Sequence, residues 1–330
     1  MFGCIRLLCL LPIVCLFLYL PIYISSIHLV AITSFFIAWL ANCKLLLFAF
    51  DKGPLSSEPS ITLGRFVVIA CLPIKVQKSP SPQSHIDDQS KGNKIHQKSK
   101  EGNILHSNYA TKVLLLGILL RAYDFINYIH PNALLLLYCL HIYLLLELIL
   151  AVVASMARAL LGVEIEPQFN DPYLSTSLQI FCGKRWNLMV SSTLRPTAYE
   201  PTLNISKHVV GRKWASLPAV LATFGVSALM HELIFYHMGR MPITGEVTCF
   251  FTLHGICLAV EIFFNKALTN RWQLPMLISR FMTIVFVIST SVWLFLPQFL
   301  RIGVDVNESL LAYEVQRLVG VRRLSDIVYA

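Results

Sequence analysis

Long apolar runs separated by short polar segments dominate the pattern of the chain. A helix that crosses the hydrocarbon core of a bilayer needs about 20 mostly apolar residues. Eight runs approach or exceed this length, although the third is short and contains Arg65. The pattern therefore predicts an all-α, polytopic membrane protein with about eight transmembrane helices, at residues 7–24, 27–50, 61–76, 110–129, 133–161, 217–237, 247–264 and 275–299.

Two hydrophilic stretches interrupt these runs. Residues 77–109 contain two Ser-Pro pairs and five lysines, which predicts a flexible cytosolic loop without a core of its own. Residues 162–216 mix aromatic, proline and charged residues, which is typical of an interfacial or re-entrant segment. The tail, residues 301–330, is either an amphipathic surface helix or a frayed terminus. We interpret residues 1–330 as a single membrane-embedded domain.

Basic residues are distributed unequally between the two sides of the predicted membrane. Alternating the eight runs puts 13 Lys and Arg residues in the segments 77–109, 162–216 and 266–274, and only seven on the other side. Cytosolic loops carry an excess of Lys and Arg. The side with 13 basic residues is therefore predicted to be cytosolic, and Arg6 and Lys52 are predicted to lie on the opposite side.

Composition narrows the class of protein further. The chain is 56% hydrophobic and only 14% charged, whereas a soluble domain carries about 25% charged residues. This excludes a soluble enzyme, a disordered protein and a secreted disulfide scaffold. The formal charge of +9 lies mainly in loops and orients the protein in the membrane, so no nucleic acid partner is predicted. The nine cysteines lack paired spacing and are expected to pack as small hydrophobes.

Ionisable residues inside the apolar runs are the first candidates for a functional site. Each costs about 2.5–3.5 kcal/mol at mid-bilayer on insertion scales, so its presence calls for a reason. His231 stands in the middle of an apolar run, and Glu232 points about 100° away from it around the helix. At least one of the two must face protein or a cavity. Three runs carry both residue types, in the pairs His141 with Glu147, His231 with Glu232, and His254 with Glu261.

The chemistry open to His231 is limited by its neighbours. A zinc-protease helix needs a second histidine at position 235, which is Phe235, and His237 lies off the required face. The chain also lacks G-x-S-x-G and any cysteine beside a histidine. No metal and no redox cofactor are therefore predicted. A neutral imidazole can act as a general base towards the hydroxyl group of a lipid alcohol; the structural alternative is a histidine bonded to a neighbouring helix.

The hydrophilic stretch that precedes His231 offers partners for such a base. Lys184 and Arg185 lie on the predicted cytosolic side, where they either meet an anionic head group or simply orient the protein. The Asn187 amide can donate a hydrogen bond to a developing oxyanion, hold the substrate, or bond the backbone.

Three segments, residues 39–55, 166–187 and 227–236, resemble the plant wax synthase family. These are membrane-bound O-acyltransferases (MBOAT) that join a fatty acyl-CoA to a long-chain alcohol, and close relatives use sterols. The resemblance covers residues from about 11 to 298 and implies an MBOAT-like fold with a catalytic chamber in the endoplasmic reticulum membrane. It implies that His231 is the catalytic residue and Asn187 its partner. The candidate substrate-binding residues are then Asn170, Lys184, Arg185, Trp186 and Glu232.

The function expected from this resemblance is transfer of a fatty acyl group from acyl-CoA to a long-chain alcohol, which gives a wax ester. Acyl-CoA would enter from the cytosol and the alcohol laterally from the lipid bilayer. The first alternative is an acyl-CoA–sterol O-acyltransferase. The chain has Cys182 where the family usually has tryptophan, and it lacks the usual first helix, so an inactive paralogue is a second alternative. A proton-coupled transporter that uses the His and Glu pairs is a third.

Overall fold

The computed structural model describes residues 2–56, 62–75, 109–162, 165–267 and 275–302. Almost all of them lie in helices, joined by short 3-10 and π-helical turns. The α-helices, α1 to α14 in chain order, are Phe2–Tyr19, Ile27–Thr33, Asn42–Ala49, Leu63–Cys71, 109–122, Pro131–Leu161, Leu178–Ile180, Leu188–Leu194, Glu200–Val209, Gly211–Trp214, Ser216–Gly239, Glu246–Ala267, Met276–Thr290 and Leu296–Arg301.

Two of the predicted segments lie almost wholly outside these residues. Of the loop 77–109 only Tyr109 is described, and of the tail 301–330 only Arg301 and Ile302. Their predicted character therefore stays a prediction, and so does the interpretation of the chain as one domain.

Six helical segments of the described chain are long and apolar enough to cross a membrane, by length and composition. Their outward faces carry large apolar side chains such as Leu8, Leu229 and Leu277, as expected for surfaces in contact with lipid. The all-α, multi-pass membrane architecture is thus confirmed. The six segments are Gly3–Tyr23, Ile27–Ala49, Pro131–Leu161, Gly211–Gly239, Glu246–Ala267 and Met276–Arg301.

The predicted count of eight spans is not confirmed, because α4 and α5 are short. Helix α4 has nine residues, or about 14 Å at 1.5 Å per residue. The buried ammonium group of Lys44 on α3 donates to the carbonyl oxygens of Ile69 (2.7 Å) and Leu72 (2.6 Å) at the end of α4. A cation is favourable at the carboxyl end of a helix. Helix α4 therefore ends beside α3, part of the way along it.

The contacts define two faces of the helical assembly. On one, Arg6 pairs with Asp51, Lys75 pairs with Glu166 at 2.6 Å, and Lys266 donates to the carbonyl oxygen of Lys213 at 2.9 Å. This face, which we call the loop face, holds residues 2–6, 50–56, 165–215 and 263–267. On the opposite face Arg240 donates to the carbonyl oxygen of Ile22, and Arg301 pairs with Glu246 at 2.6 Å.

These contacts correct the predicted sidedness of the amino-terminal region. Strict alternation of eight spans put Arg6 and Lys52 on the side opposite residues 162–216. The structure places both on the loop face with residues 165–215. Alternation failed because α4 ends part of the way along α3 and does not count as a crossing. Helix α5 with the 3-10 turn Tyr123–Tyr128 does run antiparallel to α6, since Tyr109 lies beside Arg158 and Tyr123 packs on Tyr138. One crossing fewer than predicted therefore separates Lys52 from residues 162–216. The correction adds two basic residues to the side already predicted to be cytosolic.

Candidate active site

His231 lies in the middle of α11, and the helix itself sets the state of its ring. The Nδ1 atom is 2.7 Å from the carbonyl oxygen of Ser227, one turn earlier. A carbonyl oxygen only accepts hydrogen bonds, so Nδ1 carries a proton, and in the neutral ring Nε2 then carries the lone pair. Nε2 forms no hydrogen bond within the described part of the chain, and the side chain is only partly buried. The neutral form of this imidazole therefore offers a free basic nitrogen at Nε2.

Aromatic rings surround this imidazole. Trp39 stands edge-on to it with ring centroids 5.4 Å apart, Phe251 lies at 4.4 Å, and Phe295 lies at 6.0 Å. These rings come from three different spans, so the histidine faces a junction between helices rather than open lipid. Such an apolar environment excludes water, which would otherwise compete as a nucleophile in an acyl transfer.

A π-helical stretch, Ser34–Ala41, brings Trp39 to this position. Single π-turns re-aim side chains and occur often at functional sites. The hydroxyl group of Ser34 is 3.0 Å from Nδ1 of His237, and both side chains are buried. This bond joins the stretch to α11 near the opposite face, so it fixes the register between Trp39 and His231.

Glu232 is buried next to His231 but points to a different helix. One carboxylate oxygen accepts from the backbone N–H of Thr248 at 3.0 Å and from its hydroxyl group at 2.8 Å. Thr248 lies in the first turn of α12, where a negative charge is favourable. Glu232 thus holds α11 to α12, and its suggested part in substrate binding stays a prediction.

Asn187 begins α8 in a left-handed conformation, with φ of 37°. Asparagine tolerates this region better than most residues because its short side chain bonds locally. Here Oδ1 accepts from the backbone N–H of Val190 at 3.3 Å and caps the helix. The amide nitrogen forms no hydrogen bond with the rest of the described chain, so it is free to donate to a ligand. The side chain itself is buried.

The segment before Asn187 is anchored by Glu261 of α12. The Glu261 carboxylate accepts from the backbone N–H groups of Leu178 (2.9 Å) and Gln179 (3.4 Å). The hydroxyl oxygen of Ser177 also accepts from the backbone N–H of Ile180 at 3.2 Å. Because the first N–H groups of a helix have no partners of their own, these bonds fix the start of α7.

A second anchor joins residues 168–170 to residues 185–188. The backbone N–H of Asn170 donates to the carbonyl oxygen of Arg185 at 3.0 Å, and that of Leu188 donates to the carbonyl oxygen of Gln168 at 2.8 Å. The guanidinium group of Arg185 returns two bonds to the carbonyl oxygens of Asn170 and Asp171. Two of the predicted substrate-binding residues, Asn170 and Arg185, are therefore engaged in holding this loop.

The other predicted residues of the loop differ in their surroundings. Trp186 stacks on Phe181 with ring centroids 5.3 Å apart and packs edge-on against Phe169 at 5.2 Å. Lys184 is exposed on the loop face and forms no ion pair among the described residues, which leaves its charge available to a ligand. Cys182 packs instead with apolar side chains of α11 to α13; burial raises the pKa of its thiol to about 12, with a smaller contribution from Glu261. A thiol in that state is not a nucleophile at neutral pH.

The structure brings the two candidate catalytic residues into one region without joining them directly. Met189 and Val190, which follow Asn187, pack in one cluster with Trp39 and with Met230, the neighbour of His231. No hydrogen bond links His231 to Asn187 among the residues that the structure describes. The two residues thus adjoin one packed cluster formed by α8, α11 and the second span.

The remaining cavity space near the loop is small. A cavity of about 40 Å³ lies between α6 and residues 165–169 and is lined by Glu147, Arg158 and Gln168, among others. That volume suits ordered water and not an acyl chain. A catalytic chamber at His231 therefore stays a prediction. Within the described residues no group of three His, Cys, Asp or Glu side chains could hold a metal ion.

Sequence reasoning missed three residues of this region. Trp39 and Lys44 lie inside the segment 39–55 that carries the family resemblance. Neither was assigned a role, because their contacts depend on helices that are distant in sequence. Glu261 was placed in a possible relay of His and Glu pairs. The three glutamates instead bond separate partners: Glu147 with Lys112, Glu232 with Thr248, and Glu261 with Leu178.

Comparisons with known proteins agree with this architecture. The model of the membrane bound O-acyl transferase family matches residues 165–253, which include His231, Asn187 and the anchored loop. Acyl-CoA–sterol O-acyltransferase 1 of Arabidopsis thaliana is 44% identical over 304 residues, covering 92% of this chain and 84% of that protein. Probable long-chain-alcohol O-fatty-acyltransferase 1 of the same plant is 44% identical over 321 residues, covering 96% and 90%. Long-chain-alcohol O-fatty-acyltransferase of Simmondsia chinensis is 43% identical over 305 residues, covering 92% and 84%.

The helical membrane architecture, together with this family model and these relatives, defines a class of multi-pass membrane enzyme that transfers acyl groups to oxygen. At these identities and coverages, the chain belongs to the membrane bound O-acyl transferase family.

Proposed function

We propose that this chain transfers a fatty acyl group from acyl-CoA to the hydroxyl group of a long-chain alcohol, giving a wax ester. The observation that carries the proposal is His231, whose Nδ1 is bonded to the Ser227 carbonyl oxygen so that Nε2 is free to act as a base. General-base catalysis by a positioned imidazole contributes about 10²–10⁴-fold in rate. Relatives named as long-chain-alcohol O-fatty-acyltransferases support the choice of acceptor.

The reaction balances without a cofactor. His231 Nε2 takes the proton of the alcohol, and the alcohol oxygen forms a bond to the thioester carbonyl carbon. The tetrahedral intermediate collapses, the C–S bond breaks, and the thiolate takes the proton back from the imidazolium. The Asn187 amide, whose nitrogen is unbonded, donates to the carbonyl oxygen while that oxygen carries negative charge.

The loop face is the entry proposed for acyl-CoA. Lys184 is exposed there without an ion-pair partner in the described chain, and the nucleotide end of acyl-CoA is anionic. An excess of Lys and Arg marks a cytosolic side, and acyl-CoA is a cytosolic substrate. The alcohol would reach His231 laterally from the bilayer, and we place the protein in the endoplasmic reticulum membrane.

A sterol is the second candidate acceptor. The observation that favours it is the 44% identity to a relative named as an acyl-CoA–sterol O-acyltransferase, which is as high as the identity to the long-chain-alcohol relatives. Both acceptors present a hydroxyl group to the same base, so the chemistry at His231 is shared.

An acceptor screen tests the proposal. The chain is expressed in yeast that lacks its own sterol and neutral-lipid acyltransferases, and membranes receive labelled palmitoyl-CoA with hexadecanol, a sterol or a diacylglycerol. We expect palmityl palmitate from the wild-type protein and none from His231→Ala at equal membrane abundance. A sterol ester would instead identify the second candidate. No ester with any acceptor, from well-inserted protein, would refute the proposed activity and favour an inactive paralogue.

The orientation has a separate test. Asn204 stands in an Asn-Ile-Ser sequence on α9, at the loop face. If this face is cytosolic, Asn204 stays without glycan in microsomes, whereas a sequon engineered beside Arg240 on the opposite face is modified. A glycan at Asn204 would contradict the entry proposed for acyl-CoA.

A further inference from the structure

Trp39 carries a buried hydrogen-bond donor, the indole N–H, that has no oxygen or nitrogen acceptor in the described chain. Its side chain is 1% exposed, and the thiol of Cys43 is the acceptor found for its indole N–H among the described residues. The thiol of Cys43, one turn further along, interacts with the indole but is a weak acceptor. Buried donors without a partner are rare in native proteins, and they call for an explanation such as a ligand or a catalytic role.

The position of Trp39 indicates which explanation applies. Its ring is edge-on to His231 at 5.4 Å, whereas the other rings around the histidine belong to Phe251 and Phe295 and offer no polar atom. Trp39 also packs in one cluster with Met189, two residues after Asn187. The indole N–H and the Asn187 amide nitrogen are therefore two donors without an oxygen acceptor in the described chain, on residues that lie in or next to the cluster that adjoins His231.

We propose that Trp39 is a further catalytic residue, which donates its indole N–H to the thioester carbonyl oxygen together with Asn187. This inference rests on the proposed acyl transfer. As the alcohol oxygen bonds to the carbonyl carbon, the C=O π pair moves onto oxygen, and the two donors stabilise that charge. When the C–S bond breaks, the pair returns, and the thiolate takes the proton held by His231. Two donors aimed at the oxyanion are the usual arrangement for acyl-transfer intermediates.

The alternative is that Trp39 only fills space between the second span and α11. Its large ring is central to a cluster that contains Leu40, Cys43, Met189 and Leu194. Truncation to alanine would remove both the ring and the donor, and so would not separate the two roles. The experiment must therefore delete the N–H while it keeps the ring.

Benzothienylalanine at position 39, introduced by genetic code expansion, makes that change, since sulfur replaces the N–H in a ring of similar shape. We expect kcat for ester formation to fall about 100-fold, the effect typical of one oxyanion donor, with KM within about twofold and thermal stability unchanged. The matched control is the same replacement at Trp293, which is 73% exposed on the outer surface and should leave kcat unchanged. Trp39→Phe, which also lacks the donor, should give a similar loss of kcat.

The outcomes separate this inference from the proposed function. A wild-type protein without His231-dependent ester synthesis would refute the acyl transfer itself. An active wild-type protein whose benzothienylalanine variant keeps its kcat would overturn the role of Trp39 alone and leave it a packing residue. A variant that loses rate only in proportion to a loss of folded protein would also count against the donor role.

Discussion

His231 and His254 show how the same local bond gives two different histidines. They lie on neighbouring helices, α11 and α12, and each donates from Nδ1 to the carbonyl oxygen four residues earlier, at 2.7 Å and 2.9 Å. Each ring is therefore held by its own helix, with the lone pair on Nε2. A histidine fixed by its helix is thus not by itself a catalytic feature.

The two histidines differ in how accessible the Nε2 lone pair is. In His254, which is 3% exposed, Nε2 lies 3.5 Å from the hydroxyl oxygen of Thr290, and that hydroxyl already donates to the carbonyl oxygen of Phe286. In His231 the ring is only partly buried, and Nε2 has no partner in the described chain. A base needs a lone pair that substrate can reach. The comparison therefore supports the catalytic role proposed for His231 and favours a packing role for His254.

After substitution of the histidines themselves, substitution of Asn187 is expected to give the largest loss of rate. Its free amide nitrogen is proposed to serve the site of His231, and Asn187→Ala should lower kcat about 100-fold, the effect typical of a lost oxyanion donor. Because Oδ1 also caps α8, Asn187→Asp is the matched control: it keeps the cap and loses the donor. Kinetics of ester formation that leave Asn187→Asp at the wild-type rate would contradict the donor role.

Glu261 sharpens the comparison, because it lies on the same helix as His254 and yet is expected to matter for rate. Glu261→Ala removes the acceptor that holds the start of α7 and should lower kcat about tenfold or more, since misplacing a reacting group by 1 Å can cost about 10²-fold. Glu261→Gln keeps an acceptor oxygen and should recover most of that loss. The control on the same helix is Glu246→Gln, which breaks only an exposed ion pair with Arg301. Equal rates for Glu261→Ala and Glu246→Gln would show that the anchor is unimportant.

The smallest expected effect concerns the partner of His254. Thr290→Val removes a hydroxyl group that bonds the backbone of its own helix, and it should lower stability by about 1 kcal/mol, a typical net value for one hydrogen bond. The rate of ester formation should stay within about twofold of wild type. Thermal unfolding in detergent measures the first quantity and the ester assay the second; a large loss of rate with intact stability would give His254 a part in catalysis.

Much of the architecture could be predicted because apolar length is local information. The six long spans, and the histidine in the middle of one of them, follow from runs of adjacent residues. Helices α4 and α5 were less predictable, because the length of α4 is set partly by Lys44, which lies on another helix and bonds its last carbonyl groups. The predicted side of Arg6 and Lys52 failed for the same reason.

The residues of the candidate site also differ in whether the sequence alone could identify them. His231 was identifiable because an ionisable group in an apolar run is costly wherever it occurs. Trp39 gave no such signal, since a tryptophan in an apolar run is ordinary and only the lack of an oxygen or nitrogen acceptor for its N–H makes it unusual. Glu261 was noticed as an ionisable residue in an apolar run, but it was paired with His254. Its observed partner, the backbone N–H of Leu178, is 83 residues away in sequence.

One measurement tests the central claim most directly: single-turnover ester formation by wild type, His231→Ala and His254→Ala in one membrane preparation, at equal amounts of inserted protein. If the free Nε2 of His231 is the base, His231→Ala loses at least about 10²-fold in rate, whereas His254→Ala stays within a few-fold of wild type. Ester formation that persists in His231→Ala, or an equal loss in both variants, would contradict the account.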